Sequence, residues 1–391
     1  MEFKIAENQS RANIKIVGIG GGGGNAINTM VENRIQGVEF IAVNTDLQAL
    51  EQSKADVALQ CGPDLTKGLG AGAKPELGRE AAEESVSDIR EVLKSSDMIF
   101  VTVGLGGGTG TGGGPVVARV AKELGALTVA VVTKPFLFEG KARMKNAEKG
   151  WEELRNQVDT IITIPNDRVL AMSDKNTTFI DAMKMVDDVL VQAVRGVTDL
   201  INLPGYINPD FADVRTVMNE MGPALMGAGV SAGEKRAVEA VHNAIASPLL
   251  QDISIYGAKG VLVNIAASQD TLTMVEITEA TSQIYEEAHD DANIILGVIF
   301  DDSLGKEMRV TVVATGIREE SEEPLPDDVS QLAESSLKKG ADQEVAAENH
   351  QAGDNQGASP PDSQRRSKKS RQEGFDEEFF DKPTFLRIKR N

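Results

Sequence analysis

The run Gly106-Gly107-Gly108-Thr109-Gly110-Thr111-Gly112 decides the fold class of this chain. It closely follows residues 98–103, whose apolar and β-branched side chains predict a buried strand, and it precedes a predicted helix. Glycines between a strand and a helix let backbone N–H groups approach an anion closely, and the helix N-terminus adds a favourable field. A side chain at Gly108 would crowd a bound phosphate or demand a forbidden backbone angle. The run therefore predicts a phosphate-binding turn in an α/β fold.

Two further glycine-rich segments lie in the same part of the chain. Residues 20–24 are consecutive glycines between a predicted strand at 14–17 and a predicted helix start at 25–28. Residues 68–73 contain the other segment. Turn glycines with a purely structural role could account for one such loop, but three at one edge of a sheet indicate a binding site.

Short apolar segments alternate with longer mixed ones up to residue 176. This alternation predicts a Rossmann-like parallel sheet with helices on both faces. The predicted strands of this part are 14–17, 40–43, 98–103, 128–132 and 160–164, and one helix is predicted over 75–93. The later part has predicted strands at 261–265, 294–300 and 310–314 and helices at 233–246 and 274–288.

Composition divides the chain into successive parts. Residues 177–202 form one long pattern that is apolar on nearly every side, which predicts a buried central helix. After Gly316 the chain becomes acidic and then polar, too poor in apolar residues to offset the entropy of ordering. The predicted organisation is a flexible N-terminus at 1–12, a nucleotide-binding domain at 13–176, the central helix at 177–202, a smaller α/β domain at 203–316, a disordered linker at 317–373 and a partner-binding tail peptide at 374–391.

The formal charge of −20 argues against nucleic-acid binding, which needs a basic surface, and against broad adhesion to anionic membrane. We expect no nucleic-acid partner and no direct membrane insertion. Cys61 is the single cysteine, which excludes an internal disulfide and fits a reducing compartment. His242, His289 and His350 share no metal-ligand spacing, so we expect no metal held by the protein alone. No apolar run is long enough to span a bilayer, and the first residues lack the apolar stretch of a signal peptide. We expect a cytoplasmic protein.

Two other nucleotide-binding folds compete with this interpretation. Gly18, Gly20 and Gly23 satisfy the dinucleotide fingerprint after a strand, so a Rossmann NAD-dependent oxidoreductase is one alternative. That alternative expects an acidic ribose ligand at the end of the second strand. Asn44 ends this strand and Asp46 follows two residues later, which leaves the alternative open. A P-loop is disfavoured because its G-x4-G-K-[ST] motif does not occur.

The run at 106–112 is the signature of the tubulin/FtsZ superfamily, and the chain resembles that superfamily over residues 14–316. Further matching stretches lie at 20–26, 43–46, 66–73, 133–136, 138–141, 164–167 and 210–218. Tubulin itself is a poorer match, because its additional C-terminal helices have no counterpart in this sequence. The resemblance implies a GTP-hydrolysing protein that assembles head-to-tail with itself into the cytoskeletal filaments of a division ring. A non-polymerising GTP switch is the second alternative.

The resemblance also assigns a GTP site residue by residue. The residues that would hold the phosphates, or contact the nucleotide beside them, are Gly21, Gly22, Gly23, Gly24, Asn25, Asn44, Gly72, Ala73, Gly108, Thr109 and Gly110. Glu139 and Arg143 would contact the ribose, and Asn166 and Asp187 would read guanine. A carboxylate suits that role because it accepts from both the ring N–H and the exocyclic amine of guanine, which adenine cannot supply.

The loop after the central helix contains the implied catalytic residues, Asn208, Asp210 and Asp213. In the superfamily the equivalent loop reaches the γ-phosphate of the adjacent subunit, where carboxylates can polarise water and Mg2+ offsets the phosphate charge. Asp213 lies near the start of a predicted helical segment, so helix capping is a compatible structural role.

Three residues depart from the superfamily pattern. Met183 stands where an aromatic residue often stacks on guanine, and Lys74 replaces a common asparagine after the second loop. Pro209 fixes one backbone angle and removes a hydrogen-bond donor beside Asn208. These departures affect the expected strength of guanine stacking and the expected hydrolysis rate.

The tail resembles the terminal peptide of the bacterial branch of the superfamily, which binds membrane tethers and division regulators. The residues that would bind such partners are Pro383, Phe385, Leu386 and Arg387. An extended segment that contains a proline and apolar anchors suits a groove on a partner protein. Lys382 departs from the usual apolar residue before the proline.

Overall fold

A computed structural model describes residues 12–173, 176–220, 222–250, 257–289 and 291–317. The predicted linker beyond residue 317, the tail peptide and the first 11 residues lie outside the described residues. All of the elements below belong to one unit of the chain.

Six parallel strands build one half of the sheet, in the spatial order β3-β2-β1-β4-β5-β6. They are β1 (Ile14–Ile19), β2 (Val38–Asn44), β3 (Val57–Gln60), β4 (Met98–Gly104), β5 (Leu127–Lys134) and β6 (Thr160–Pro165). The sequence predicts all of them except β3, a four-residue edge strand. The strand order reverses between β1 and β4, and the glycine segments 20–24 and 106–112 begin at this reversal, which is where open α/β sheets bind ligands.

Helices cover both faces of this half of the sheet. They are α1 (Gly20–Glu32), α2 (Leu47–Glu51), α3 (Pro63–Thr66), α4 (Pro75–Glu84), α5 (Val86–Leu93), α6 (Thr109–Glu123), α7 (Lys141–Arg155), α8 (Asn166–Ala171) and α9 (Phe179–Asn202). The prediction of one helix over 75–93 is wrong, because the chain leaves the helical conformation at Ser85. The buried Ser85 hydroxyl instead accepts a hydrogen bond from the backbone N–H of Gly62, which ties this corner to the start of α3.

Five more strands extend the sheet in the order β6-β8-β11-β9-β10-β7. The elements after α9 are β7 (Gly205–Ile207), α10 (Phe211–Met218), β8 (Gly222–Ala232), α11 (Arg236–Ile245), β9 (Gly260–Ala267), α12 (Met274–Glu287), β10 (Asn293–Phe300) and β11 (Glu307–Thr315). Strand β8, which is rich in glycine and alanine, is not predicted from the sequence. A Cβ on Gly227 or Gly229 would lie 2.0 or 2.1 Å from carbonyl oxygens of α11, so this strand needs glycine for close packing.

The central helix α9 packs against both halves of the sheet. Val194 and Val197 belong to one apolar cluster that also contains Val129 of β5 and Leu262 of β9. The expectation that the helix is buried throughout is wrong at its N-terminal end, where Phe179 is exposed. The helix begins at the surface and becomes buried along its length, so its two ends lie in different surroundings.

Candidate functional site

The first glycine segment forms the first turn of α1, whereas the sequence predicts a helix start at residue 25. Gly20 has a positive φ of 73°, and a Cβ there would lie 2.8 Å from the backbone nitrogen of Gly110. A Cβ on Gly23 would lie 2.6 Å from the carbonyl oxygen of Thr102. Gly21 and Gly24 have no atom within 4 Å of that position and border open space. The segment therefore packs against the sheet and the third loop and leaves two glycines facing outward.

The glycines of the run 106–112 also fall into two groups, those packed against the protein and those that border open space. Gly108 has an ordinary φ of −90°, so the expected forbidden angle at this residue is wrong. A Cβ there would lie 2.8 Å from the Cβ of Ala71, and a Cβ on Gly112 would lie 1.9 Å from the carbonyl oxygen of Pro75. These glycines make room for the protein's own second loop and helix α4. Gly107, which the sequence analysis does not select, is the glycine of this run that borders open space.

Hydrogen bonds fasten the second loop to the turn after β2. The Gly70 N–H donates to the Thr45 carbonyl oxygen at 3.2 Å, and the Leu47 N–H donates to the Gly68 carbonyl oxygen at 3.1 Å. Ala73 adopts a φ of 57°, a left-handed conformation that costs a non-glycine residue roughly 1 kcal/mol. The three glycine segments thus converge on one edge of the sheet, with the second loop held in a strained shape.

Asn44 and Asp46 are both engaged in this turn. The side-chain oxygen of Asn44 accepts from the backbone N–H groups of Thr45 and Asp46, at 2.9 and 3.3 Å. The Asp46 carboxylate caps α2 by accepting from the N–H groups of Gln48 and Ala49. Asp46 therefore serves as a helix cap at the position where the dinucleotide alternative expects an acidic ribose ligand.

Glu139 and Arg143 form an ion pair on the segment that leads from β5 into α7. Glu139 also accepts a hydrogen bond from the Phe136 N–H at 2.9 Å, so its carboxylate is held in place while Arg143 remains exposed. A Cβ on Gly106 would lie 2.9 Å from the Arg143 carbonyl oxygen. This contact brings the pair next to the third glycine loop.

The two residues expected to read the base, Asn166 and Asp187, have side-chain oxygens with few or no hydrogen-bond partners among the described residues. Asn166 is buried, and its side-chain oxygen has no hydrogen-bond partner among the described residues. Asp187 receives one long hydrogen bond, from the Thr29 hydroxyl at 3.5 Å. Burial raises the pKa of Asp187 to about 6, and the neighbouring carboxylate of Asp188 adds to the shift. A buried amide oxygen and a desolvated carboxylate are groups that gain free energy when a ligand donates to them.

The expected catalytic residues lie at the other end of α9. Asp210 caps α10 by accepting from the Asp213 N–H at 2.9 Å, and Asn208 donates to the Leu203 carbonyl oxygen. From Asp187 to Asn202 the helix rises roughly 22 Å at 1.5 Å per residue. The structure therefore does not bring Asp210 and Asp213 together with the glycine segments of the same chain.

The folded chain matches two family models. The GTPase domain of the tubulin/FtsZ family matches residues 13–174, and the C-terminal domain of the FtsZ family matches residues 222–318. Glycine loops at the strand reversal, together with these two matched domains, define a GTP-hydrolysing protein of the tubulin/FtsZ class.

Similar proteins narrow the assignment. The cell division protein FtsZ of Coxiella burnetii is 55% identical over 316 residues, which cover 81% of this chain and 82% of the relative. The chain therefore belongs to the FtsZ family of cell division GTPases. An FtsZ dimer from M. jannaschii is similar in structure, with a TM-score of 0.75, 47% identity and coverage of 79% of this chain and 89% of that one. A CetZ2 protofilament structure from Haloferax volcanii, 20% identical with a TM-score of 0.68 over 84% of this chain and 99% of that one, shares the fold.

The described residues contain neither a metal-binding cluster nor a membrane-spanning helix. Within them, no group of three or more histidine, cysteine, aspartate or glutamate side chains is placed to hold a metal ion. Across the same ranges, each helix is too short or too polar to cross a membrane.

Proposed function

We propose that this chain hydrolyses GTP at a site completed by a second copy of itself, within a head-to-tail filament. The separation of the pocket from Asp210 and Asp213 along α9 carries this proposal, because one chain lacks a complete catalytic set. The loop of one subunit then acts on the nucleotide of the next. The dimer formed by the relative from M. jannaschii supports assembly of this kind.

The pocket holds the nucleotide in the proposed function. The N–H groups and open faces of Gly21, Gly24 and Gly107 accommodate the phosphates, since a Cβ at each would meet nothing in the protein. Ala73 and Gly72 belong to the strained second loop beside them. The other phosphate-site residues proposed are Gly22, Gly23, Asn25, Asn44, Gly108, Thr109 and Gly110, several of which shape the loops rather than border open space.

Base and sugar recognition follow from the side chains. The Asp187 carboxylate accepts from the two N–H groups of the guanine edge, and Asn166 supplies a buried amide. Glu139 and Arg143 lie where the ribose is expected, beside the third loop. Mg2+ fits as an ion bound mainly through the triphosphate, because such ions need only one or two protein ligands.

The hydrolytic step requires a water activated beside the γ-phosphate. Asp213 is exposed, and its carboxylate makes no hydrogen bond or ion pair within the described part of the chain, so it is available to a neighbour's nucleotide. Asp210 fixes the start of α10 and hence the direction of Asp213, and Asn208 braces the loop. A negative charge placed at the attacking water stabilises the developing transition state.

Exposed apolar side chains at both ends of α9 support the head-to-tail arrangement. Leu69, Phe138 and Phe179 surround the pocket end, and Leu69 is 85% exposed. Tyr206 of β7 and Met274 of α12 are exposed in the half that carries the catalytic loop. Exposed large apolar residues of this kind mark interaction surfaces.

The dependence of hydrolysis on protein concentration tests this proposal. We expect the rate per subunit to be near zero in dilute solution and to rise above a threshold concentration at which sedimentable filaments appear. Phosphate release and pelleting are followed in parallel on the full chain. A rate per subunit that stays constant down to the most dilute sample would show a site complete in one chain and favour a non-polymerising switch.

The partners of the tail belong to the same proposal. Pro383, Phe385, Leu386 and Arg387 lie outside the described residues, and their role is inferred from the sequence. An anchor peptide at the end of the chain brings filaments to membrane tethers and division regulators at the division site. Phe385→Ala should abolish the binding of a tail-recognising partner while GTP hydrolysis stays unchanged.

A further inference from the structure

Thr45, in the turn after β2, is not among the residues assigned to the nucleotide. Its side chain is 0% exposed. Its hydroxyl oxygen lies 2.6 Å from the hydroxyl oxygen of Thr109, a distance typical of an O–H···O hydrogen bond. Among the described residues, Thr109 is the one hydrogen-bond partner of the Thr45 hydroxyl.

The direction of this hydrogen bond follows from burial. A hydroxyl shut off from water must donate its proton to an acceptor or lose the free energy of that bond. Thr45 has one acceptor in reach, the Thr109 oxygen. Thr109 is only partly buried and is the first residue of α6, beside Gly20 of the first glycine segment. If Thr45 donates, the proton of Thr109 is left to point away from Thr45.

The backbone of Thr45 is fixed as firmly as its side chain. Its carbonyl oxygen accepts from the Gly70 N–H at 3.2 Å and from the Thr66 hydroxyl at 3.3 Å. Its N–H donates to the Asn44 side chain at 2.9 Å. Thr45 therefore joins the second loop, the turn after β2 and the N-terminus of α6.

We propose that Thr45 is a positioning residue for the triphosphate. It donates to the Thr109 hydroxyl and so directs the Thr109 proton onto a phosphate oxygen of GTP. This inference rests on the GTP site proposed above and adds a residue and a direction of donation to it. Two hydroxyls in series strengthen each other, and the final bond to an anion is charge-assisted.

Isosteric substitution separates this role from packing. Thr45→Val keeps the shape and removes the donor, and Thr45→Ser restores it. Thr102→Val is the matched control, because Thr102 on strand β4 is equally buried and its hydroxyl has no hydrogen-bond partner within the described ranges. The ligands are GTP and guanosine, which has no phosphate, measured by competition against a fluorescent guanine nucleotide on the full chain.

We expect Thr45→Val to bind GTP about fivefold more weakly with guanosine affinity unchanged, and Thr45→Ser and Thr102→Val to match the wild type. Thr109→Val should weaken GTP about tenfold, and the double variant should also lose about tenfold rather than fiftyfold, because the two hydroxyls act in series. GTP affinity of Thr45→Val equal to that of Thr102→Val would overturn the inference, and so would an equal loss for guanosine. A wild type that binds no GTP would instead refute the proposed function.

Discussion

The two ends of α9 lie near different kinds of structure, glycine loops at one end and an exposed carboxylate at the other. At the end near Asp187, glycines with positive φ and close backbone contacts shape the three loops, and the buried side-chain oxygen of Asn166 has no hydrogen-bond partner among the described residues. At the other end, Asp213 is an exposed side chain in the first turn of α10, whose start is capped by the Asp210 carboxylate. In the proposed function, the nucleotide is held by residues of one chain, whereas Asp213 acts on the nucleotide of a second chain.

Asp213→Asn tests the catalytic end and should have the largest effect. The amide is nearly isosteric and loses the negative charge beside the attacking water, so hydrolysis within filaments should fall about 100-fold. GTP affinity should not change, because Asp213 follows the far end of α9, which rises roughly 22 Å from Asp187 to Asn202. Phosphate release at saturating protein and equilibrium GTP binding measure the two quantities.

Asp88→Asn is the matched control for this substitution. Asp88, like Asp213, is the exposed third residue of an eight-residue helix, so both changes alter a helix start in the same way. It should hydrolyse GTP at the wild-type rate. Asp213→Asn mixed with wild type should enter the same filaments and depress their rate. If the mixture with Asp213→Asn instead hydrolysed GTP as fast as a mixture with Asp88→Asn, in filaments containing both chains, Asp213 would not act in hydrolysis.

Gly107→Asp tests the pocket end, with the next largest effect. Its side chain has room in the protein but places a negative charge beside the expected phosphates, so GTP affinity should fall about thirtyfold at unchanged thermal stability. Gly257→Asp, at another open glycine with an ordinary φ, is the control and should bind normally.

A packed glycine of the same run sharpens this contrast. Gly112→Ala should lower the free energy of unfolding by about 1–3 kcal/mol, because its Cβ would lie 1.9 Å from the Pro75 carbonyl oxygen. Thermal and denaturant unfolding measure this change. Equal stability losses for Gly107→Asp and Gly112→Ala would remove the distinction between open and packed glycines.

Asp187 predicts the smallest effect, a pH dependence of base recognition. Its pKa of about 6, raised from 3.8 by burial, means that the carboxyl protonates as the pH falls from 7 to 5 and loses an acceptor. Guanosine, whose phosphate-free structure avoids a second titration, should bind about tenfold more weakly at pH 5. Thr29 and Asp188 are the polar groups that face this carboxyl, and neither reverses the sign.

Asp187→Asn is the control for that titration. It should bind guanosine weakly at every pH, because the amide no longer accepts from both guanine N–H groups. The effect of pH on folding stability is opposite in sign to its effect on guanosine binding. Burial favours the neutral carboxyl, so ionisation of Asp187 lowers the free energy of unfolding as the pH rises from about 4 to about 6. A wild-type affinity that is flat from pH 7 to pH 5 would remove Asp187 from the base site.

The sequence predicts the parts of the molecule whose causes are local. The β-branched residues and glycines at residues 14–24 and 98–112 predict the strands and turns that they form. The alternation of strands with helices then predicts the parallel sheet. Strand β8 is not predicted because Gly227 and Gly229 make room for carbonyl oxygens of α11, and local sequence does not report such a packing contact. The contact of Thr45 with Thr109 joins residues 64 positions apart and has no signal in either local sequence.

The sequence predicts phosphate binding for the glycine run 106–112, whereas the structure shows that some of its glycines pack against the protein itself. Its density correctly indicates close approach of the backbone to something else. Sequence alone does not distinguish a phosphate from a carbonyl oxygen of Pro75 as the close neighbour, because both exclude a Cβ. Only the positions of the second loop and α4 separate Gly107 from Gly108 and Gly112.

The distance that α9 sets between pocket and loop gives a filament two unequal ends. In the proposed assembly, a filament of n subunits contains n − 1 complete sites. The subunit at one tip keeps a nucleotide that no neighbour can attack, and the subunit at the other tip presents a catalytic loop with nothing to act on. One tip therefore keeps bound GTP while the subunits of the interior hydrolyse theirs. Each subunit that adds to this tip completes the site of the subunit that it covers, whose GTP can then be hydrolysed.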